Sequence, residues 1–544
     1  MNWFPLLNYT HYSLQYGFSK PRELAKKCKE NSYPACGIAD YKSISGAVTF
    51  YQACISNGIK PIIGCSFDGF ALFAKNKQGW SDLIKLVSSL DQDGKTNPKV
   101  LRSVCDNGNL LSVALDESLS PIKGENFYRK TSTLMDTFYT DKDEAELHRI
   151  LLCSKMKKTM PKVKKLLSSG EDFDDRKFFE SNEYHVPDEI EICEILAENK
   201  DKSVSKIVEV CEEYNILSQP MLPEFPTPTG ESEEDYLKQL CREGWRDMLI
   251  NQGKVSSDEK KQAYLERFKT EFEVINEAQL FGYFLIVRDI INYVNDQGWL
   301  SGPGRGSAAG CLISYLIGIT KIDPIEFDLL FERFYNAGRN TGGHVSLPDI
   351  DIDVPGRKRD EIIEYLKNKY GKYNVSQMLT FGRLQGRSAL KEVLRINEAC
   401  SFGEMNEISK VIPNEADVSD QLQEMDEEDR SIIKFALINH ADELRDYCFV
   451  NSSGHLEGDY ADYFEQAIRI EGTFKTQGKH AAGVVISSER LYNVCPMVEQ
   501  RSGGEKIAGL EMADLEALGH VKFDVLGINL LDKIMKIEET LDVL

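Results

Sequence analysis

The stretch Leu347–Val354 reads Leu-Pro-Asp-Ile-Asp-Ile-Asp-Val, so three aspartates alternate with isoleucines. Successive side chains of a β-strand point to opposite faces, which predicts that Asp349, Asp351 and Asp353 share one face. Three like charges on one face repel each other unless cations neutralise them. Carboxylate oxygens are ligands that Mg²⁺ takes, and Mg²⁺ sites often leave positions for substrate phosphates. The motif therefore predicts a metal–carboxylate centre for phosphate chemistry.

Two other interpretations of this stretch stay open: a solvent-facing acidic edge strand and a Ca²⁺-binding loop. A Ca²⁺ loop is disfavoured because its glycine and its terminal glutamate are missing at the expected spacing. The apolar residues Leu347, Ile350 and Ile352 favour a packed strand.

A glycine-rich turn, Ser301–Gly310 (SGPGRGSAAG), runs directly into the apolar segment Cys311–Leu316. Glycines in such a turn allow backbone N–H groups to approach phosphate oxygens. The turn lacks the Gly-Lys-Ser/Thr of a Walker A loop, and it follows a predicted helix, unlike a dinucleotide-binding fingerprint. A tight loop that only allows close helix packing is the alternative interpretation.

Two shorter motifs lie near the C-terminal end of the sequence. In Gly519–Gly527 (GHVKFDVLG), Asp524 interrupts an apolar strand pattern, and Lys522 is predicted on the same strand face. A buried aspartate needs a partner, either a metal ion or a salt bridge. Lys475–Gly483 (KTQGKHAAG) is a short basic turn before a strand, in which His480 by itself would most often be structural.

Composition places the chain among ordinary soluble globular proteins with several domains. It has 544 residues, 42% hydrophobic and 28% charged, and no apolar run or leader typical of a membrane span or signal peptide. Thirteen scattered cysteines without a Cys-x-x-Cys pair predict reduced thiols in a cytosol. The net charge of −22 argues against a nucleic-acid partner.

The distribution of charge modifies that conclusion. Between Pro355 and Arg395, ten Lys/Arg residues face four Asp/Glu residues, a local balance of +6 directly after the acidic motif. Carboxylates beside a basic surface suit a site that handles a polyanion together with cations. The alternative is a solvated helix face over residues 357–369.

The elements that must position these motifs follow from the sequence pattern. Residues 1–90 alternate apolar runs with helical patterns at Pro21–Glu30, Ala47–Asn57 and Trp80–Leu90, which predicts an α/β domain. Leu222–Gly230, with three prolines, reads as a linker. Three helices are predicted from Ser232 to Gly298, the first with Ser232 as its N-terminal cap, then mostly helix over 380–470 and strands within 480–530.

In this order the motifs identify a resemblance. GPGRGSAAG, ITKIDPIEFDLLFERF, LPDIDIDV, QMLTFGRLQGRSALKEVLR, GKHAAGVVIS and VKFDVLG resemble the C-family DNA polymerases, the family of bacterial DNA polymerase III alpha subunits. LPEFPTPTGESEEDYLKQLCREG resembles the entry to the palm of that family, and GIADYKSISGAVTFYQACISNGIKPIIGCSF resembles its PHP domain. The resemblance covers nearly all 544 residues and is weakest at about 91–215.

The resemblance implies a multidomain α/β and α+β fold. The expected parts are a PHP-like α/β domain at 1–218, a nucleotidyltransferase-type palm with a mixed sheet at 219–380 and 474–530, a helical thumb at 381–473, and the start of a connection to the fingers at 531–544. The expected activity is template-directed DNA synthesis, in which dNTPs are added to a primer 3′-hydroxyl with two Mg²⁺ ions at the palm.

The resemblance also assigns residues to roles. Asp349, Asp351 and Asp524 match the catalytic, metal-binding aspartates, and Asp353 is a candidate further ligand. The expected contacts to nucleotide or DNA phosphates are Gly306, Ser307, Arg387, Lys391, Lys479 and Lys522.

This sequence departs from the family pattern in its N-terminal domain. The metal-binding pattern has a His-x-His pair, an Asp-His pair and a glutamate, where this chain has Leu7 and Tyr9, Asp40-Tyr41, and Ser66. Leucine and serine do not replace imidazole or carboxylate ligands. We therefore expect this domain to hold no metal and to lack phosphoesterase or proofreading activity.

The second departure is the end of the chain, about twenty residues after Asp524, where the family pattern continues with fingers. The resulting hypothesis is the N-terminal half of a split replicative polymerase in a bacterial or phage-infected cytosol, partnered by a separate fingers polypeptide. A sliding clamp and a proofreading exonuclease could join through that partner. Alternatives are a non-catalytic replisome scaffold and, less favoured, a PHP-type metal phosphoesterase.

Overall fold

The computed structural model describes residues 3–116, 121–122, 124–198, 203–336, 347–426, 429–500 and 503–541. The chain folds into two compact units, each made of two segments. Unit 1 comprises residues 1–216 and 381–478, and unit 2 comprises residues 217–380 and 479–544.

Most strands in the described residues are short. They are β1 Leu7–Asn8, β2 Ala35–Ile38, β3 Lys60–Phe67, β4 Phe70–Ala74, β5 Leu110–Ala114, β6 Phe127–Arg129, β7 Asp136–Thr137, β8 Asp351–Pro355, β9 Val375–Arg383, β10 Phe449–Val450, β11 Leu456–Glu457, β12 Phe474–Ile486, β13 Met497–Val498, β14 Ile507–Ala508 and β15 Val521–Ile528.

The α-helices occur in both units. They are α1 Pro21–Glu30, α2 Ala47–Asn57, α3 Lys77–Ser88, α4 Pro98–Asp106, α5 Ala145–Met156, α6 Met160–Ser169, α7 Lys177–Glu180, α8 Glu189–Glu198, α9 Ser203–Val210, α10 Glu233–Gly244, α11 Asp258–Glu277, α12 Phe281–Asp296, α13 Leu312–Leu316, α14 Arg359–Tyr370, α15 Arg387–Asn397, α16 Phe402–Val411, α17 Glu415–Glu424, α18 Ile432–Asn439, α19 Ala441–Leu444, α20 Ala461–Ile470, α21 Leu491–Val494, α22 Met512–Ala517 and α23 Asn529–Leu541.

Unit 1 contains a mixed sheet of order β2-β3-β4-β5-β6. Strand β2 runs parallel to β3 and β5 parallel to β6, whereas the pairs β3–β4 and β4–β5 are antiparallel. Helices α1 and α2 have the bounds that the sequence pattern predicts, and α2 ends at Gly58, whose φ of +71° suits the left-handed conformation. The predicted α/β character of the N-terminal region is confirmed.

Unit 1 also holds a second core formed by helices from both of its segments. Helices α5 and α6 of the first segment pack on α15 and α20 of the second, and their buried side chains include Leu151, Val163, Leu390 and Phe464. The predicted division into a separate PHP-like domain and thumb stays a prediction, because both share this unit.

Unit 2 contains a six-stranded mixed sheet of order β13-β14-β9-β12-β15-β8. Strand β8 is an edge strand, parallel to β15, and β15 is antiparallel to β12. The alternation of the acidic motif decides which face is buried: Ile350, Ile352 and Val354 join Phe523 and Val525 in the core. The mixed sheet that the resemblance implies is confirmed.

The helices of unit 2 cover the apolar face of this sheet. Helix α10 begins after Ser232, whose hydroxyl accepts the Asp235 N–H at 3.1 Å, as the capping pattern predicts. Helix α12 is apolar along most of its length and is buried in the same core as β8 and β15. Glu271 of α11 is fully buried and accepts the N–H groups of Leu312 and Ile313, which fixes the start of α13.

All thirteen cysteines lie within the described residues, and all are free thiols. No α-helix in the described ranges combines the length and the apolar character needed to cross a membrane.

Candidate active site

The aspartates of the two acidic motifs meet because β8 and β15 are neighbours. Asp351 and Asp524 lie 173 residues apart in sequence but are directly paired in the parallel register. Asp349 lies two residues before Asp351, on the same face. One carboxylate oxygen from each of Asp349, Asp351 and Asp524 lies within 4.8 Å of the other two. This spacing suits a shared divalent cation with carboxylate ligands.

The strand itself begins later than the sequence pattern predicts. Strand β8 starts at Asp351, so Asp349 precedes it. The reason is local: the N–H of Ile350 donates to the hydroxyl of Tyr283 at 3.2 Å, and no neighbouring strand accepts it among the described residues. Tyr283 is buried, and its ring stacks on Phe523 at 5.3 Å. It therefore contacts both the segment that carries Asp349 and the strand that carries Asp524.

The exposure of the three carboxylates decreases from Asp349 through Asp351 to Asp524. The Asp349 side chain is 69% exposed and that of Asp351 32%, whereas Asp524 as a residue is only 9% exposed. The Oδ1 atom of Asp524 is buried and has no hydrogen-bond partner in the described part of the chain. A buried carboxylate oxygen without a donor is costly, and a bound cation would satisfy it. The donor set therefore fits Mg²⁺.

Two basic side chains already contact the cluster. Lys522 Nζ lies 2.7 Å from Asp524 Oδ2 and 3.6 Å from Asp349 Oδ1. Arg305 Nε lies 3.2 Å from Asp351 Oδ2 and 3.3 Å from Asp353 Oδ1. Each cation thus bridges two carboxylates, and Asp353 is drawn to Arg305 and stands apart from the three-aspartate group.

The electrostatics of these groups follow from burial and neighbouring charge. Burial alone lowers the pKa of Lys522, but the hydrogen bond and charge of Asp524, with the charge of Asp349, outweigh it, so the lysine pKa is raised. Burial, aided by the charge of Asp351, raises the pKa of Asp353 although Arg305 opposes the shift. Lys522 therefore stays charged at neutral pH.

The glycine-rich turn lies against the acidic strand. The N–H of Gly302 donates to the backbone oxygen of Asp353 at 3.0 Å, and a Cβ on Gly302 would come within 2.6 Å of the Asp353 Cβ. Gly306 has a φ of +63° with open space around it, and Ser307 follows in a short 3₁₀ turn. Gly306 and Ser307, the predicted phosphate-binding pair, directly follow Arg305 in this turn.

The other predicted basic residues lie in different surroundings. Lys479 is exposed on β12 of unit 2. Arg387 and Lys391 belong to α15 of unit 1, where Arg387 donates to the carbonyl oxygens of Ile412 and Lys410, and Lys391 to the side chain of Asn406. Their phosphate contacts stay predictions.

Arg305 is a site residue that the sequence reasoning did not assign. Its signal is present in the sequence, because it is the only cation within the turn that precedes Gly306 and Ser307. What the sequence does not give is its distance to Asp351, which depends on how the turn packs on β8.

Several N-terminal residues in and around the metal-binding pattern make close contacts within unit 1. Asp40 is buried and accepts hydrogen bonds from Thr10 and Ser13. His11 stacks on Phe474 at 4.0 Å, and Tyr9 stacks on Phe138 at 4.6 Å. Of the positions that differ from the metal-binding pattern, Leu7, Tyr9 and Ser66 are buried, whereas Tyr41 is 41% exposed.

A second group with metal-ligand spacing occurs in unit 1, formed by Glu183, His185 and Glu191. His185 Nε2 lies 2.9 Å from Glu191, and Lys142 Nζ lies 2.9 Å from Glu183 and 3.8 Å from Glu191. The side chains of Glu183 and Glu191 are 66% and 34% exposed, and neither has a buried oxygen without a partner among the described residues, as Asp524 has, so the group reads as a salt-bridge network.

Comparison with known proteins agrees with this geometry. A family model described as the bacterial DNA polymerase III alpha NTPase domain matches residues 235–527, and a PHP domain model matches residues 6–125. The first match covers more than half of the chain and includes the acidic motifs, the glycine-rich turn and Lys522. The fold and the site thus define a multidomain protein of the nucleotidyltransferase class with an N-terminal PHP domain.

The chain belongs to the bacterial DNA polymerase III alpha family. The DNA polymerase III subunit alpha of Bacillus subtilis is 30% identical over 100% of this chain and 50% of its own length. Those of Escherichia coli K12 and Pseudomonas aeruginosa are 30% and 29% identical over 96% of this chain, with 48% and 47% of their own lengths covered. The chain therefore spans about half the length of the curated relatives it matches.

Proposed function

We propose that this chain carries the catalytic palm of a DNA polymerase that adds dNTPs to a primer 3′-hydroxyl on template DNA. The observation that carries the proposal is the convergence of Asp349, Asp351 and Asp524 within 4.8 Å at a buried orphan oxygen. The family membership supports the reaction class, since the relatives are named DNA polymerase III subunit alpha.

Asp349, Asp351 and Asp524 would hold Mg²⁺, which when bound activates the attacking hydroxyl and neutralises charge on the triphosphate and its leaving group. The protein's own contribution is to fix the three carboxylates on paired strands, so that no rearrangement of β8 against β15 is needed during the reaction. We assign Gly306 and Ser307, which lie in the turn that Gly302 ties to β8, to the triphosphate. Lys479 is proposed to contact DNA or nucleotide phosphates.

The relatives are about twice as long as this chain, and we propose that the polymerase activity also uses parts that these 544 residues do not include. We propose that a fingers region, in a second polypeptide, closes over the base pair, because positioning supplies much of the rate in phosphoryl transfer. A sliding clamp and a proofreading exonuclease are further proposed partners of that assembly.

The test is primer extension by the native assembly, purified from its source cells through an affinity tag on this chain. We expect Mg²⁺-dependent, template-directed extension, and we expect Asp351→Asn to abolish it, because the substitution removes a ligand charge. The matched control is Asp360→Asn, an exposed aspartate of α14. The 544-residue chain alone should extend primers negligibly.

Extension that Asp351→Asn leaves intact would exclude this site as the catalytic centre. Efficient extension by the isolated chain would exclude the separate fingers polypeptide.

A further inference from the structure

The carboxylate cluster is bridged by two of the chain's own cations in a symmetrical way. Lys522 joins Asp524 to Asp349, and Arg305 joins Asp351 to Asp353. Two positive side chains thus neutralise half of the charge of four aspartates. The ammonium group of Lys522 contacts two of the three aspartates in the group with metal-ligand spacing.

We propose that Arg305 and Lys522 act as built-in counter-cations, which hold the aspartates together before metal ions enter and must give up their carboxylates when metal ions bind. The proposal rests on the function proposed above and adds a role for these two residues. They are positioning residues of the metal centre, and they set its apparent affinity for divalent cations.

The contacts of Lys522 indicate why this lysine must release its carboxylates when a metal ion binds. A metal ion bound at Asp524 Oδ1, which is buried without a partner in the described residues, would share that carboxylate with Lys522, whose Nζ lies 2.7 Å from Oδ2. An ammonium group and a divalent cation repel each other strongly at such distances. Lys522 is anchored by its strand, because Val521 and Phe523 on either side are buried in the core. Its side chain also reaches Met512 Sδ at 2.9 Å, a neutral group towards which it could withdraw.

The contacts of Arg305 indicate that its side chain can release Asp351 without moving the turn. Its side chain is 46% exposed, so it can leave Asp351 at little cost, but its backbone is fixed. The turn is tied to β8 through Gly302, and Pro303 O accepts the N–H of Lys321 at 2.7 Å. Release of Arg305 therefore changes the side chain only, and the predicted phosphate-binding turn keeps its place.

The experiment measures Mn²⁺ binding to the purified chain without nucleotide or DNA, by the free-Mn²⁺ signal in electron paramagnetic resonance. We expect Lys522→Met and Arg305→Gln each to tighten binding by at least about fivefold, the equivalent of one unit-charge interaction at roughly 4 Å in water. Lys522→Arg keeps the charge and should bind Mn²⁺ much as the unmodified chain does.

Matched controls exist for both cations in the same unit. Lys367 is a lysine of similar exposure paired with Glu505, and Arg357 bridges Asp532 and Glu539 as Arg305 bridges its own pair. Lys367→Met and Arg357→Gln should leave Mn²⁺ affinity unchanged.

A second measurement separates this role from a purely structural one. Without metal, Lys522→Met should lower the melting temperature, because it leaves the aspartates unneutralised, and Mn²⁺ should raise it by more than in the unmodified chain. A lysine that only stabilised the fold would give the first effect without the second.

The outcomes are distinguishable from those of the proposed function. Binding that Asp351→Asn does not weaken would overturn the metal centre itself. Binding that depends on Asp351 but is the same in Lys522→Met and Arg305→Gln would overturn the counter-cation role alone. If the unmodified chain binds no Mn²⁺, binding must appear in Lys522→Met, and its absence would likewise overturn the counter-cation role.

Discussion

At the scale of single residues, the candidate site depends on which charge each side chain can reach. Asp349, Asp351 and Asp353 have the same type and spacing, yet they have different partners. The first lies near Lys522, the second near Arg305 and Asp524, and the third near Arg305. An alternating acidic motif thus provides both the proposed metal ligands and the anchor of a neighbouring cation.

Tyr283 gives a prediction at this scale. Burial raises its pKa well above the ordinary value, so the neutral hydroxyl accepts the N–H of Ile350 between two of the aspartates. Tyr283→Phe keeps the stacking on Phe523 but leaves that buried N–H unpaired, which should cost about 1–3 kcal/mol of unfolding free energy. Urea unfolding measures the change.

The same substitution should weaken Mn²⁺ binding, because Asp349 and Asp351 flank the freed N–H. Tyr373→Phe removes a hydroxyl from an exposed tyrosine of the same unit and should change neither quantity. Unaltered stability in Tyr283→Phe would show that the hydrogen bond does not hold the motif.

His148 gives a pH prediction for unit 1. Burial lowers the pKa of His148 to about 4, although its Nε2 contact with the backbone oxygen of Tyr16 opposes the shift. His148 therefore takes up a proton near pH 6.5 in the unfolded chain but only near pH 4 in the folded chain. Stability contributed by neutral His148 is complete above the unfolded pKa and is lost as pH falls through this window.

The expected loss is on the order of 2 kcal/mol between about pH 7 and about pH 5. Burial raises the pKa of Asp40 to about 6, which acts in the opposite direction, so the measurement must be a difference between variants. His148→Gln should unfold with a flatter pH dependence than the unmodified chain in urea titrations. His440→Gln, at a half-exposed histidine, should keep the original slope, and equal slopes for all three proteins would contradict the prediction.

At the scale of elements, the site depends on a turn and an edge strand that touch through a glycine. Gly302 has an ordinary φ, so its need for glycine is set by space alone: a Cβ would lie 2.6 Å from the Asp353 Cβ. The turn can therefore approach β8 closely enough for Arg305 to reach Asp351.

Gly302→Ala should push the turn away from β8, since neither backbone can yield without losing the bond between Gly302 and Asp353. We expect a loss of about 1–3 kcal/mol in stability, typical of overpacking. The loosened turn should also release Arg305 and alter Mn²⁺ affinity. Thermal unfolding and Mn²⁺ titration measure both effects. Gly403→Ala, in α16 with open space around it, is the control and should be neutral or stabilising.

The C-terminal helix α23 contains an apolar stripe that the sequence predicts as a contact surface. The sequence predicts an apolar stripe at Leu530, Leu531, Ile534, Ile537 and Leu541, proposed to contact the fingers polypeptide. In the structure Met535 is the buried residue of this helix, whereas Leu530, Ile537 and Leu541 are about 60% exposed. The described part of unit 2 thus leaves these three residues of the stripe uncovered, and the contact with the fingers polypeptide stays a prediction.

At the scale of the whole molecule, each unit combines two distant segments of the chain. The N-terminal region shares its core with residues that the resemblance assigns to the thumb, because α5 and α6 pack on α15 and α20. The N-terminal segment then has a structural use, since it supplies one side of that core.

This arrangement leads to a prediction about metal content. Because Tyr9 and Ser66 stand where the metal-binding pattern has ligands, and the buried Asp40 already accepts hydrogen bonds, unit 1 should hold no stoichiometric transition metal. Elemental analysis of the purified Asp349→Asn/Asp351→Asn double variant reports on the N-terminal region without the palm site. Two or three tightly bound ions in that variant would contradict the expectation.

A metal held at Glu183, His185 and Glu191 would also contradict it, and His185→Gln would identify that source by removing the signal. A 3′–5′ exonuclease assay on the same preparation should show no activity.

The sequence by itself determined the local features, because they depend on neighbours within a few residues. It predicted helices such as Pro21–Glu30 and Ala47–Asn57, the cap at Ser232, and the face that Asp351 and the isoleucines take. Helical periodicity, strand periodicity and capping are short-range properties, so they can be predicted without knowledge of the tertiary structure.

Only the tertiary structure decided the site. Asp524 meets Asp351 because β15 runs parallel to β8 in one register, and a slip of one residue would turn Asp524 into the core. The same pairing brings Lys522 to Asp524 and Asp349, and the packing of the glycine-rich turn brings Arg305 to Asp351 and Asp353. Distances between residues 173 apart are fixed by the sheet and its core, which no local pattern encodes.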